Sequence, residues 1–358
     1  MQYIIRLSID QGLSSLSLFI FSITLAREFG AADFSIYAIA LSTSLMVTAI
    51  FNSAYIEPTA IKGKGGLSRG TIITKLSMLS LTASILCLFF IEQSQFFPVL
   101  AFTLGNSALF TVRRINALNG EHNKLTLVSA TSFALTMTSL WLLNYTQASL
   151  SLWLITYGVL GVTYLLFLPI TKYENKEKIA ADLSSLVTAI MLWICSNYFF
   201  YYLPAVGRAD ESGQLRIIYT LFMPILQAGT IAGSFLISKK STHNAAFPII
   251  LSLTAAYGII LTAIGSETIQ SITKIPITTQ ELVYATLLAA ANSSSGLSSI
   301  SLRMQKHITP ILTSSTISAL TLIIIGFFAK TLNEIMICIT LSFLLSIALS
   351  QAIRRMHK

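Results

Sequence analysis

Apolar stretches of membrane-crossing length recur twelve times between Leu7 and Ile353, separated by short polar breaks. They fall near residues 7–26, 34–56, 76–91, 96–112, 125–143, 150–170, 184–203, 214–237, 247–265, 280–301, 309–329 and 335–353. Most approach the ~20 apolar residues that a helix needs to cross ~30 Å of hydrocarbon. The pattern predicts an all-α polytopic membrane protein with twelve transmembrane helices. Composition agrees, with 54% hydrophobic and only 10% charged residues, a balance foreign to soluble domains.

Charge sets the expected orientation. Threading the chain from an inside N-terminus leaves only Arg27, Arg208, Arg216, Lys274 and Lys330 in outside segments; the other 18 of the 23 Lys and Arg fall inside. This is the positive-inside bias, and it predicts that both termini are cytoplasmic. The same bias accounts for the net charge of +9. No basic stripe with interleaved aromatics is left over, so no nucleic-acid partner is expected. Cys87, Cys195 and Cys338 are dispersed in apolar spans, and His122, His243, His307 and His357 stand singly in loops. Neither set has the spacing of a metal site or a disulfide framework, so no metal is expected. Asp10, Gln11 and several serines interrupt the first apolar run, which reads as a retained helix and not a cleaved leader.

The longest connection, roughly Glu57 to Lys75, is too short for a soluble catalytic domain, and no catalytic residues are expected. The most hydrophilic break, Thr171 to Asp182, divides the chain into an N-terminal six-helix lobe (1–170), a cytoplasmic linker (171–183) and a C-terminal six-helix lobe (184–358). A short phrase recurs just after the first helix of each half: Gly30-Ala31-Ala32-Asp33, then Gly207-Arg208-Ala209-Asp210. Six is even, so both halves enter the membrane in the same sense. They should relate by a pseudo-two-fold along the membrane normal, with a substrate path between them.

Polar residues inside the spans form stripes at helical spacing. The eighth span carries Arg216, Thr220, Gln227, Thr230 and Ser234; the first carries Asp10, Ser14, Ser17 and Thr24. The second carries Tyr37, Ser44, Thr48 and Tyr55, and the tenth Asn292, Ser295, Ser299 and Arg303. Two readings compete: small polar residues that let helices pack closely, and the wall of a polar cavity. In the eighth span the long side chains of Arg216 and Gln227 favour a cavity. Asp10 lies four residues after Arg6 and is expected to pair with it. Arg113 and Arg114 close the fourth span, either as anchors or as a cationic ring for an anionic headgroup. Arg27 and Asp33 flank the turn after the first span, where Asp33 is expected to cap a helix beginning at Phe34.

The segment from Ser14 to Pro58 resembles the opening of polysaccharide exporters of the Wzx type. These are O-antigen flippases of the multidrug/oligosaccharidyl-lipid/polysaccharide (MOP) superfamily. Ala26-Arg27, Gly30, Phe34, Tyr37 and the Glu57-Pro58 ending carry the likeness, and Val206 to Ile237 loosely resembles the matching part of the second lobe. Ser35 stands where the family usually has Gly, and 358 residues is short for a member. The arginine-rich first helix of lipid II flippases is absent, as is the carboxylate constellation of many cation-coupled drug exporters. The resemblance implies two lobes facing each other across a cavity lined by helices 1, 2, 7 and 8. It implies a lipid-linked oligosaccharide as cargo, the phospholipid bilayer of the bacterial inner membrane as setting, other polysaccharide-assembly membrane proteins as partners, and no cofactor. Two alternatives stand beside it. One is a cation-coupled small-molecule exporter of the same superfamily, which would need a protonatable carboxylate deep in a lobe. The other is a membrane glycosyltransferase or polymerase, which would need a large outer loop or a carboxylate pair.

Overall fold

The computed structural model describes residues 2–56, 68–167, 183–226, 228–229, 232–233, 246–305 and 308–356. Among these, all regular structure is helical. The helices are α1 (Gln2–Phe51), α2 (Arg69–Cys87), α3 (Phe96–Leu118), α4 (His122–Tyr145), α5 (Leu150–Thr163), α6 (Leu183–Ala205), α7 (Ala209–Leu221), α8 (Ala246–Ile264), α9 (Ser266–Thr273), α10 (Thr279–Met304), α11 (Ile308–Gly326) and α12 (Leu332–Met356). Eight helices among the described residues are long and apolar enough to cross a membrane, the first being Ile9–Ile56. The chain is a multi-pass membrane protein.

That first helix is two arms. Gly30 sits at φ 75°, ψ 176°, a region open essentially to glycine alone. The Ser22 and Tyr37 hydroxyls lie 2.6 Å apart. Fifteen residues of straight helix would span ~22 Å, so the chain must reverse at Gly30. Gly207, in the related phrase, turns the chain between α6 and α7 at φ 79°. The two turns also meet, because a Cβ on Gly213 in α7 would run into the carbonyl of Ala31.

Boundaries shift where local chemistry decides them. The third apolar span, expected from residue 76, begins at Arg69, where the Ser68 hydroxyl accepts from the Thr71 amide at 3.2 Å. Lys75, expected in a loop, therefore lies on α2 and reaches over the Tyr55 ring at 3.9 Å. The eighth span, expected as one helix over 214–237, starts at Ala209 and breaks at Phe222. Pro224 has no amide hydrogen to return to the preceding turn, which is the physical reason for that break. A capping box of Thr278 and Glu281 starts α10.

Close helix approach depends on missing side chains. Gly105 of α3 meets Gly158 and Gly161 of α5 backbone to backbone, leaving no room for a Cβ. Small residues at such crossings are how helices pack where lipid supplies no hydrophobic drive.

The buried apolar side chains divide unequally along the membrane normal. Toward the end carrying Gly30 and Gly207, one continuous cluster joins both halves of the chain, from Leu18 and Phe34 to Phe200, Ile217 and Met336. Toward the opposite end, separate clusters lie in the first half (around Val47, Phe51 and Leu109) and the second (Ile250 and Leu297). Among the described residues, the large apolar cluster shared by both halves lies at the glycine-turn end, while at the other end a polar contact, Arg303 to the Ser53 hydroxyl at 3.3 Å, still joins them. Exposed Phe89, Phe97, Trp141, Tyr145, Phe327 and Phe328 lie near the glycine-turn end, as aromatic residues do at a membrane interface.

Candidate functional site

The seam between the halves is held by one short piece of backbone. Ala38, Ile39, Ser42 and Thr43, on the second arm of α1, meet three side chains from the other half. Arg216 of α7 donates from Nη2 to the Ala38 carbonyl at 3.1 Å and to the Ser42 hydroxyl. Trp193 of α6 donates its indole N–H to the Ser42 carbonyl at 2.8 Å. The Tyr201 hydroxyl lies 2.7 Å from that of Thr43, which also contacts the Cys87 thiol at 3.0 Å.

Arg216 is the charged member of this seam. It is 1% exposed, and its guanidinium carbon lies 3.7 Å from the centre of the Phe200 ring. Its Nε has no hydrogen-bond partner, and no ion pair to it occurs among the described residues. The guanidinium is thus buried with a carbonyl, a hydroxyl and an aromatic face in place of an anion. A cation so placed is expensive to hold and is the natural receptor for an anionic group. In this conformation Arg216 packs inside the closed seam and does not line an open cavity. Thr220, one turn on, is fully buried with an unpartnered hydroxyl. Gln227, Thr230 and Ser234 lie outside the described residues, and the break at Phe222 means the stripe does not run along one straight helix.

The expected Asp10–Arg6 pair is corrected by the structure. The fully buried Asp10 carboxylate receives Nε of Arg113 at 3.0 Å and Nη2 at 2.8 Å, with a third donor from the Ser129 hydroxyl. Arg113 also reaches the Ser14 hydroxyl, the Gln11 amide oxygen at 3.1 Å and the Asp10 carbonyl at 3.3 Å. Arg6 instead donates to Asn123. Arg113, expected at a membrane anchor or a cationic ring, is 3% exposed and committed to this network. The reason is three-dimensional: α3 carries Arg113 directly against the polar face of α1. Arg114 is half-buried beside it.

Other stripes resolve mainly into packing. Ser44 accepts from the Asn106 amide at 2.7 Å, and Thr24 and Thr48 return bonds to their own helix. Ser17 is buried with no partner for its hydroxyl. Arg303, near the end of α10, donates to the Ser53 hydroxyl at 3.3 Å and so bridges the halves at the end opposite the seam. Ser53 lies in a π-helical turn, Asn52–Ile56.

At the glycine turns, Arg27 and Asp33 are exposed. The second arm begins directly after Gly30, so Asp33 stands at its third position. It is not the residue before the helix, and it complements the positive helix end from within the first turn. Arg208 pairs with Glu211, whose hydrogen bonds hold the guanidinium above its ordinary pKa. It also donates to the Ala329 and Lys330 carbonyls at 3.0 and 2.8 Å, tying its turn to the α11–α12 connection.

Two clefts of similar size lie in the second half. One, about 220 Å³, is lined mainly by apolar side chains of α7 and α10, with Tyr219 and Asn292 at its polar edge. The other, about 210 Å³, is ringed by serines of α10, α11 and α12. No group of three or more His, Cys, Asp or Glu that could hold a metal occurs among the described residues.

The seam residues Ser42, Thr43, Trp193 and Tyr201 were not among the sequence candidates. Trp193 did carry a signal, since an indole N–H inside an apolar span needs an acceptor.

An all-helical, multi-pass chain whose halves join along α1, α6 and α7 has clear counterparts among solved structures. No family model matches the chain, and no curated protein matches it. The lipid II flippase MurJ in an inward closed conformation superimposes with a TM-score of 0.66 at 13% identity, over 98% of this chain and 87% of MurJ. The eukaryotic MATE transporter AtDTX14 gives 0.59 at 15% identity over 98% and 94%. A MOP superfamily transporter from Pyrococcus furiosus, whose binding pocket is described as reversed in polarity, gives 0.58 at 13% over 99% and 95%. The fold is that of the MATE and MurJ transporters.

Proposed function

We propose that this chain flips a lipid-linked oligosaccharide, joined to undecaprenol through pyrophosphate, from the inner to the outer leaflet of the bacterial inner membrane. It does so with twelve spans in two lobes, residues 1–170 and 184–358, and both termini in the cytoplasm. The observation that carries the reading is Arg216, a guanidinium buried between the halves with no carboxylate partner among the described residues. A pyrophosphate crossing ~30 Å of hydrocarbon needs cationic partners, and the guanidinium fork suits phosphate oxygens. When the seam parts, Arg216 loses the Ala38 carbonyl and the Ser42 hydroxyl and turns to the phosphate. Thr220, Gln227, Thr230 and Asn292 exchange hydrogen bonds with sugar hydroxyls along the path. Arg303 and Arg27 stand at its two ends. Asp10, Ser14 and Arg113 brace the first half.

A second reading, a cation-coupled small-molecule exporter, is favoured by the multidrug transporters among structures of this fold. It needs a carboxylate free to take up a cation. The fully buried Asp10 is bound to Arg113, which speaks for the flippase.

The test is deletion in the native host. The flippase reading expects loss of surface polysaccharide, with lipid-linked oligosaccharide accumulating on the inner leaflet. Normal surface polysaccharide together with sensitivity to small toxic compounds would reverse the order of the two readings.

A further inference from the structure

Arg216 finds its acceptors on the other half of its own chain. A guanidinium has five N–H groups, and among the described residues only those on Nη2 are used. They reach the Ala38 carbonyl at 3.1 Å and the Ser42 hydroxyl, both neutral. Nε has no partner. On the same stretch of α1, Trp193 and Tyr201 add contacts between neutral groups, to the Ser42 carbonyl at 2.8 Å and the Thr43 hydroxyl at 2.7 Å. The seam therefore has one charged tie, and that tie leaves most of its donors idle.

A phosphate brings a full opposite charge and takes two guanidinium donors side by side, which neither Ala38 nor Ser42 can do. The closed seam gives it no access, because Arg216 is 1% exposed and its Nε is shielded from solvent. An anion can thus reach Arg216 only where the seam has parted. A ligand that binds one state alone shifts the equilibrium toward that state.

We propose that the Ala38 carbonyl and the Ser42 hydroxyl are a built-in substitute for the cargo's phosphate, an autoinhibitory contact that holds the seam shut until a lipid-borne pyrophosphate takes Arg216 in their place. The identity of the anion rests on the flippase reading above; the lock does not. Opening is then tied to loading, since an empty guanidinium returns to Ala38 and Ser42. The tie is reciprocal. While the parted seam is the minor state, a change that weakens the lock raises the apparent affinity for the anion by the factor that it raises opening.

Cys87 reports the seam. Its thiol is 2% exposed and lies 3.0 Å from the Thr43 hydroxyl, at the contact with Tyr201. The test treats the full chain in lipid nanodiscs with N-ethylmaleimide and follows alkylation of Cys87, and of fully buried Cys195, by mass spectrometry. The probes are undecaprenyl pyrophosphate, undecaprenol and inorganic pyrophosphate. The lipid pyrophosphate should accelerate Cys87 several-fold, undecaprenol should not, and Cys195 should stay slow. Inorganic pyrophosphate acting at the same concentration would assign the lock to free anions and overturn the lipid-borne source. Ser42→Ala keeps the carbonyl that Trp193 uses. It should raise the ligand-free rate at Cys87 and lower the half-saturating lipid pyrophosphate by the same factor. Arg216→Ala should label fast and ignore the ligand; should it fold poorly, Ser42→Ala decides. A Ser42→Ala chain with unchanged rate and affinity would overturn the lock whatever the cargo, as would equal acceleration at Cys195. If the chain flips a lipid-linked sugar in proteoliposomes while the lipid pyrophosphate leaves Cys87 unchanged, the proposal falls and the flippase reading stands. If it does neither, the reading falls as well.

Discussion

Asp10→Ala removes the anionic half of a fully buried pair and leaves Arg113 in place. The guanidinium loses acceptors at 3.0 and 2.8 Å, Ser129 loses the acceptor for its hydroxyl, and Ser14, Gln11 and one backbone carbonyl remain as neutral partners. Breaking a buried pair from one side typically destabilises by ~3–5 kcal/mol, because a charge is stranded without compensation. Against a total stability of ~5–15 kcal/mol, that is a large fraction. Asp10→Asn keeps one acceptor oxygen and should fall between, since a hydrogen bond to a charged group contributes ~1.5–3 kcal/mol. Replacing both partners by apolar residues, Asp10→Leu with Arg113→Met, strands no charge and should recover most of the loss. Denaturation in mixed micelles, followed by tryptophan fluorescence, would give the three free energies and the coupling between the sites. If Asp10→Ala were as stable as the unaltered chain, or the double variant no better than Asp10→Ala, the pair would not be the brace described above.

Other expectations follow from the same geometry. Arg216→Ala should reduce surface polysaccharide with undiminished protein in the membrane, because the lost side chain is an uncompensated cation, and Arg216→Lys should restore export only in part. Full export by the alanine variant would remove Arg216 from the path. Gly105→Ala drives a methyl into the carbonyl of Gly158 and should destabilise by ~1–3 kcal/mol, as overpacking does, seen as a lower unfolding temperature on size-exclusion analysis. Gly30→Ala meets open space, yet its backbone conformation should still carry ~1–3 kcal/mol of strain in the same assay. Asp33→Asn should be mild and Asp33→Leu should lower folded protein modestly, by the ~0.3–1 kcal/mol of a charge at a helix start; normal abundance with abolished export would place this turn in the transport path.

What could be read along the chain was what local physics decides. Apolar runs marked the helices, and glycine in two related phrases marked turns that both adopt positive φ. Asp10 went astray because its partner lies 103 residues away, on a helix whose rotation no one-dimensional pattern supplies. Arg6 was merely the nearest cation in sequence. The eighth span was counted through Pro224, although a proline there was a legible reason to break it. Ser42 and Thr43 looked like ordinary small residues; their part in the seam depends on Arg216, Trp193 and Tyr201 arriving from the other half. Residue 33 missed its helix start for a simpler reason: the second arm resumes immediately after the glycine, three residues sooner than hydrophobicity suggested.

The most direct measurement is leaflet exchange in a purified system. Proteoliposomes carrying the chain would be loaded with a fluorescent undecaprenyl-pyrophosphate oligosaccharide, and its appearance in the outer leaflet followed by a membrane-impermeant quencher. The account predicts exchange well above protein-free vesicles and a clear loss with Arg216→Ala. Vesicles that leave the lipid-linked sugar in place, yet move a small organic cation along an ion gradient, would contradict it.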